Sequence, residues 1–304
     1  MSKLLKALCS VTSPSGDEEN MKHFIVDYVG KNAGDWQVKP KILHGEAFQD
    51  CLILVFGNPK VAAFAHMDTI GFTVRYQDQL IPIGGPEVSG GEILIGHDEY
   101  GEIECELKAN NAGQLYYDFG RAIISGTNLV YKPAFADDGD TYISPYLDNR
   151  VGIYTLLKLA ETMKRGALVF STWEEHGGGS VPFLVKYLYE EFKINKMLVS
   201  DVTWVSDGIH HEEGVVISYR DQNIPRKSFL KAILSLAKSH NIPYQIEVEA
   251  AGSSDGREIQ SSPFPIDWCF VGPAISSMHS DHEKISKADL NSAIDFYRVL
   301  VENI

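Results

Sequence analysis

From Asp148 to the end of the chain, short apolar runs alternate with amphipathic helical stretches, and this rhythm constrains the fold more than any other feature. Strands are expected at Leu168 to Trp173, Met197 to Ser200, Val215 to Tyr219, Tyr244 to Glu249 and Ile266 to Val271. Between them, the 3.6-residue spacing of apolar positions predicts helices over about Asp148 to Met163, Val181 to Glu191, Lys227 to His240 and Lys287 to Glu302, with a short one near Asp255. Strands that alternate with helices are joined by crossovers, which produce a mostly parallel, doubly wound α/β sheet. Upstream, Met21, Phe24, Ile25, Tyr28 and Val29 mark one face of a helix. Cys51 to Phe56 and Val61 to Ala65 read as two more strands.

Residues 75–140 break the rhythm. They are glycine-rich and short-period, and alternating runs on either side of His97-Asp98-Glu99-Tyr100-Gly101 predict a β-hairpin. The reading is an all-β subdomain over 75–140, inserted into a catalytic domain made of 1–74 and 141–304.

Composition narrows the function. Twenty-seven Lys and Arg stand against 41 Asp and Glu, a net charge of −14. Such a chain repels phosphate backbones and anionic lipid, so neither nucleic acid nor membrane is an expected partner. No apolar run approaches the roughly 20 residues that cross a bilayer, and the first nine residues are too short and too quickly polar for a signal peptide. Cys9, Cys51, Cys105 and Cys269 form no closely spaced pair, so reduced, buried thiols and a cytoplasmic location are expected.

The chemistry lies at the ends of the apolar runs. His66 and Asp68 follow Val61-Ala62-Ala63-Phe64-Ala65. Two residues apart in extended chain, they point to one face, which suits a ligand histidine and a carboxylate that orients its ring. Glu174-Glu175 follows Leu168 to Trp173; adjacent side chains diverge, so one can bind metal while the other faces substrate as a general base. Asp201 closes a third run, Asp148 precedes a helix, and His279 follows Ile275-Ser276-Ser277-Met278. Singly, each has a plain structural reading as a turn former, a helix cap or a surface residue. Together they gather where α/β sheets bind ligands. They also supply what a two-metal hydrolytic centre needs: a bridging carboxylate, terminal ligands and a base.

The ordered series Ser13-Pro14-Ser15-Gly16-Asp17-Glu18, Ala65-His66-Met67-Asp68-Thr69-Ile70-Gly71-Phe72, Leu147-Asp148-Asn149-Arg150-Val151-Gly152, Glu174-Glu175-His176-Gly177, Ser200-Asp201-Val202-Thr203 and Met278-His279-Ser280 resembles the glutamyl and tetrahedral aminopeptidases. These are co-catalytic metallopeptidases of family forty-two, some with an older endoglucanase label. The match spans nearly the whole chain. The resemblance implies a zinc-peptidase-like fold in which Asp148 bridges two divalent metal ions. His66 and Asp201 would complete one site, and Glu175 and His279 the other. Glu174 would be the general base and Asp68 the partner of His66. The resemblance also implies a peptide substrate and a homo-oligomer in which the β insertion makes subunit contacts and covers the active site. With N and O donors and no thiolate, Zn leads and Co or Mn are alternatives. The chain departs from the family pattern at Asn149, where a second Asp is usual, at His176-Gly177-Gly178-Gly179, and in a trimmed insertion.

A competing signal is Gly252-Ser253-Ser254-Asp255-Gly256, which matches the G-x-S-x-G nucleophile elbow, with His176-Gly177-Gly178-Gly179 as an oxyanion-type motif. A serine hydrolase built on Ser254 has only 50 residues left for its later strands, acid and histidine. It also leaves His66, Asp148, Glu175 and Asp201 idle. A metal-dependent carboxypeptidase or amidohydrolase is the other alternative. It would need Arg220 or Arg257 to clamp a carboxylate, whereas Asp255 or Glu258 suit a free amine. Arg257 is either a selector of acidic first residues or a plain surface helix residue.

Overall fold

The structure is a computed structural model that describes residues 2–304. An eight-stranded sheet forms its centre, in the spatial order Lys41–Leu43, Leu52–Phe56, Gly166–Ser171, Ala62–His66, Lys196–Val199, Asp267–Gly272, Val215–Arg220 and Tyr244–Val248. The four strands from Gly166–Ser171 to Asp267–Gly272 are mutually parallel, and the last two are parallel to each other. The expected doubly wound, mostly parallel sheet is therefore present, with antiparallel pairing at its margins.

The strands read as continuous apolar runs because both faces are covered. Leu52, Leu54 and Phe56 point into a core formed with helices Glu19–Asn32, Leu147–Ala160, Lys227–Ser239 and Lys287–Asn303. The intervening Ile53 and Val55 join Leu184, Leu188 and Ile259, from helices Val181–Phe192 and Asp255–Ser261, on the opposite face. The two-residue period of an extended chain sends alternate side chains to opposite cores.

Six antiparallel strands, Gly71–Val74, Gln79–Ile83, Ile93–Asp98, Gly101–Ala109, Leu115–Asp118 and Asn128–Tyr131, close into a barrel. Closure comes from Phe72 and Thr73 pairing with Leu129 and Asn128. Its interior is a separate core around Phe72, Leu94, Leu107 and Leu129. The hairpin expected at His97–Gly101 is there, with Asp98 opposite Gly101. After the barrel, Ala136–Asp138 and Thr141–Ile143 belong to a second, five-stranded sheet with Lys284–Ser286, Ala274–Ser276 and Thr203–Trp204. That sheet frames the loop that carries His279.

Two local expectations need correction. The strand expected through Trp173 ends at Ser171, and Trp173 turns with φ +63°. Asp148 is not a helix cap: Asp148 and Asn149 have non-helical dihedrals inside Leu147–Ala160. Tertiary hydrogen bonds hold them there instead of the helix ladder. A helix at Ser2–Cys9 was not anticipated; its Leu5 and Leu8 are fully buried in the main core.

Candidate active site

The parallel strands deliver His66 at the end of Ala62–His66, and Asp201 just after Lys196–Val199. Glu174 and Glu175 sit in the turn after Gly166–Ser171. Asp148 lies at the start of its helix, which descends onto the same sheet edge. Its close approach depends on Gly152, where a Cβ would stand 2.1 Å from the Ser200 carbonyl oxygen.

Asp148 is the hub. Its Oδ1 lies 3.1 Å from His66 Nε2, and its Oδ2 lies 3.4 Å from His279 Nε2. His66 Nε2 is also 3.5 Å from Asp201 Oδ1, and His279 Nε2 is 3.2 Å from Glu175 Oε2. Two donor groups result, His66–Asp148–Asp201 and Asp148–Glu175–His279, each with its ligand atoms within 4.8 Å of one another. They share Asp148. All five residues named as ligands in the sequence are thus brought together.

The surroundings hold these groups by hydrogen bonds from the backbone. The Asp68 carboxylate accepts from the amides of Glu174 and Glu175, both at 3.0 Å, and from Ser15 Oγ at 2.6 Å. His66 Nδ1 lies 3.1 Å from the Asp68 main-chain oxygen and 3.4 Å from its carboxylate. Asp68 therefore fixes the Glu174–Glu175 turn as well as facing the ring. Arg150, fully buried, donates to the carbonyls of Met67 and Val11 and to Ser13 Oγ, which locks the segment after His66.

Asn149 is also fully buried. Its Oδ1 accepts from Gly152 N, and its Nδ2 donates to Ser200 O at 2.9 Å. An aspartate could not make the second bond, so the departure at this position ties the helix start to the strand that carries Asp201. His176 is exposed and accepts from Gly84 N of the barrel. The barrel reaches the site again at Gly85, whose carbonyl lies 3.1 Å from His279 Nδ1.

Glu283 escaped the sequence reading. It is fully buried and accepts from Asp148 N at 3.0 Å and from His279 N at 2.7 Å, so one carboxylate orients the hub and a histidine together. A polar loop sequence, Ser280-Asp281-His282-Glu283, carries no signal that its last acid folds inward.

Charges at the site strain against burial. Burial alone would lower His279, but the carboxylates of Asp148 and Glu175 hold it up at about 12. Burial, with Asp148 beside it, pushes Glu175 up to about 7. Glu174 is raised well above the usual carboxylate range by burial, despite the opposing effect of His66. Burial also opposes ionisation of Asp148, yet hydrogen bonds from His279 and His66 bring it below the ordinary value. Among the described residues no Lys or Arg forms an ion pair with Asp148, Glu174, Glu175 or Asp201. Glu175 Oε1 is buried without any partner. Orphaned buried oxygen, unbalanced carboxylates and an all-N/O donor set together fit divalent cations.

The alternative nucleophile fails on geometry. Ser254 Oγ is buried and bonds to nothing, while His279 Nε2 faces Asp148 and Glu175, so no serine–histidine pair forms. A cavity of about 290 Å³ opens beside Asp148, Glu174 and His279. Arg257 lines it and donates to Gly177 O; Arg220 donates to the carbonyls of Asp221 and Glu249.

The fold matches solved aminopeptidases along its whole length. Aminopeptidase APDkam598 from Desulfurococcus kamchatkensis is 21% identical, with a TM-score of 0.87 and 99% of this chain and 94% of that one covered. The TET1 peptidase of Pyrococcus horikoshii is 19% identical with a TM-score of 0.84, covering 98% of both chains. A curated relative from Acetivibrio thermocellus is 26% identical over 341 aligned positions, covering all of this chain and 98% of its own. The family profile of M42 glutamyl aminopeptidases matches residues 118–296, more than half the chain, including Asp148, the Glu174–Glu175 turn, Asp201 and His279. The chain therefore belongs to the M42 glutamyl aminopeptidase family and is a peptide-bond hydrolase that acts as an aminopeptidase.

Proposed function

We propose that the protein is a dinuclear metal-dependent aminopeptidase that removes the first residue of short peptides. The observation that carries this reading is Asp148, which offers one oxygen to the His66–Asp201 group and the other to the Glu175–His279 group. In this assignment Asp148, His66 and Asp201 would hold one divalent ion, and Asp148, Glu175 and His279 would hold a second. Zn suits the N/O donors best, with Co or Mn as alternatives. When bound, such ions supply Lewis acidity toward a carbonyl oxygen and acidify water.

The remaining work falls to side chains. Glu174 takes the proton of the attacking water and passes it to the leaving amine. Burial raises its pKa above the usual carboxylate range, which favours its holding the proton between the two transfers. Asp68 and Glu283 act by positioning. The first holds the main chain of Glu174 and Glu175, and the second holds Asp148 and His279.

The same reading divides the chain into a catalytic body and an inserted β subdomain near residues 75–140, which covers one side of the site through Gly84 and Gly85. It also takes the chain to be a homo-oligomer, as in the Pyrococcus horikoshii TET1 peptidase, which can assemble into a tetrahedron or a large octahedral shell. A cytoplasmic location is consistent with four free, buried cysteines, and among the described residues no helix is long and apolar enough to cross a membrane.

The test is Glu174→Gln. Turnover should collapse while two metal ions per subunit remain bound by elemental analysis; wild-type turnover in that variant would sink the assignment.

A further inference from the structure

The wall of the cavity away from the metal-competent residues is acidic. Asp221 follows strand Val215–Arg220, and Glu247 and Glu249 lie in and just after its parallel neighbour Tyr244–Val248; all three line the cavity. Asp221 is 9% and Glu247 6% exposed, so both carboxylates are held out of bulk water. Asp221 accepts only from Asn223, and Glu247 from the hydroxyl of Thr203. Among the described residues none of the three has a cationic partner within ion-pair distance. The cavity contains one guanidinium, Arg257, which is exposed and already donates to Gly177 O.

Two further observations point to a cationic ligand. Ser254, 8% exposed, lines the same cavity with a hydroxyl that has no hydrogen-bond partner within the protein. Trp204, 48% exposed, forms another part of the wall. Gly252 lies against the indole, where a Cβ would stand 2.7 Å from the ring, so the ring is held in place. An aromatic face near carboxylates is suited to a cation.

We infer that this cavity receives the side chain of the substrate's first residue and selects Lys or Arg. The inference rests on the reading of the adjoining centre as an aminopeptidase site. Asp221 follows a strand two places from the one that leads to Asp201, roughly 10 Å across the sheet, and Glu247 and Glu249 belong to the strand beyond, with Glu247 reaching back to Thr203. The α-amine must stay beside the cleaved bond, whereas a Lys or Arg side chain reaches outward. Burial raises both Asp221 and Glu247. A bound ammonium or guanidinium would relieve that penalty, while a glutamate side chain would add to it. A net charge of −14 draws cationic peptides toward the molecule from farther away.

The experiment is a panel of Lys, Arg, Leu and Glu p-nitroanilides with the full, metal-loaded chain. Expected is a kcat/KM for Lys and Arg roughly 100-fold above that for Glu, the size of a like-charge mismatch in a secluded pocket. Glu247→Gln should lower the Lys-to-Leu ratio of kcat/KM at least tenfold. Glu249→Lys alters an exposed residue and so preserves folding; it should shift the ratio the same way and improve Glu. Preference for Glu or Leu over Lys in the unmodified enzyme, or ratios unmoved by both substitutions, would overturn the inference while leaving the aminopeptidase reading intact. Turnover of none of the four would defeat both.

Discussion

Two aspartates show how differently the barrel and the α/β body treat charge. In the barrel, Asp98 is gripped by Arg121 through two bonds of 2.7 Å, and Glu104 and Glu106 have Lys132 and Lys108 beside them. In the body, Asp148, Glu174, Glu175 and Asp201 crowd together with two imidazoles and no Lys or Arg partner. In the barrel these pairs seat individual carboxylates, although acids still outnumber bases there. The body retains a deficit of positive charge that folding alone does not justify, because unpaired buried carboxylates cost stability. In the proposed assignment, metal ions at the hub and a cationic substrate beyond it would fill that deficit.

The comparison breaks most sharply at its two aspartates. Asp148→Asn removes the shared charge and should lower turnover roughly 1,000-fold, with loss of bound metal. Asp98→Asn should leave turnover at the wild-type level and shift only the thermal midpoint. Parallel assays and metal analysis compare the two, and equal losses would erase the distinction.

A smaller effect is expected one layer out. Asp68→Asn keeps the size of the side chain but weakens its hold on the Glu174 and Glu175 amides. A fall in kcat of about 10–100-fold, with KM nearly constant and the fold intact by circular dichroism, is expected. An unchanged kcat would show that the turn holds itself.

The smallest effect concerns stability. Asp255 is 3% exposed, and burial raises it from 3.8 to about 7. The contribution of its neutral form is fully present below pH 3.8 and is lost as pH rises through 7. Asp255→Asn retains an acceptor for Ser171 Oγ and cannot ionise. In metal-stripped protein it should match the wild type near pH 4 and exceed it by up to a few kcal/mol at pH 8. Urea denaturation at the two pH values measures this, and a variant less stable at pH 8 would reverse the sign.

Much of the body was legible because its signals are local. Leu52 to Phe56 and Ala62 to His66 read as strands from their apolar runs, and the helix at Glu19–Asn32 from its period. The donors His66, Glu175, Asp201 and His279 were visible as polar residues at the ends of such runs. Glu283 was not, since nothing in a polar loop says which acid turns inward. Asp221 and Glu247 were missed for another reason: each sits at or near the end of a strand like many solvated acids, and only the packing around them removes water.

Asn149 shows the boundary well. In the sequence it stands where an acid is usual in the family; in the structure its amide bonds Ser200 O, a contact across 51 residues.

By itself, the sequence determined the alternation of elements, the chemical types at the strand ends, the excess of acid, and the resemblance of motifs to one family. Those properties are carried by neighbours along the chain. Tertiary structure alone decided that Asp148 stands between two histidines, that the barrel draws its last and first strands together, and that three carboxylates share a cavity wall without forming an ion pair. These depend on distance and on exclusion of water between residues far apart in the chain, and local spacing encodes neither.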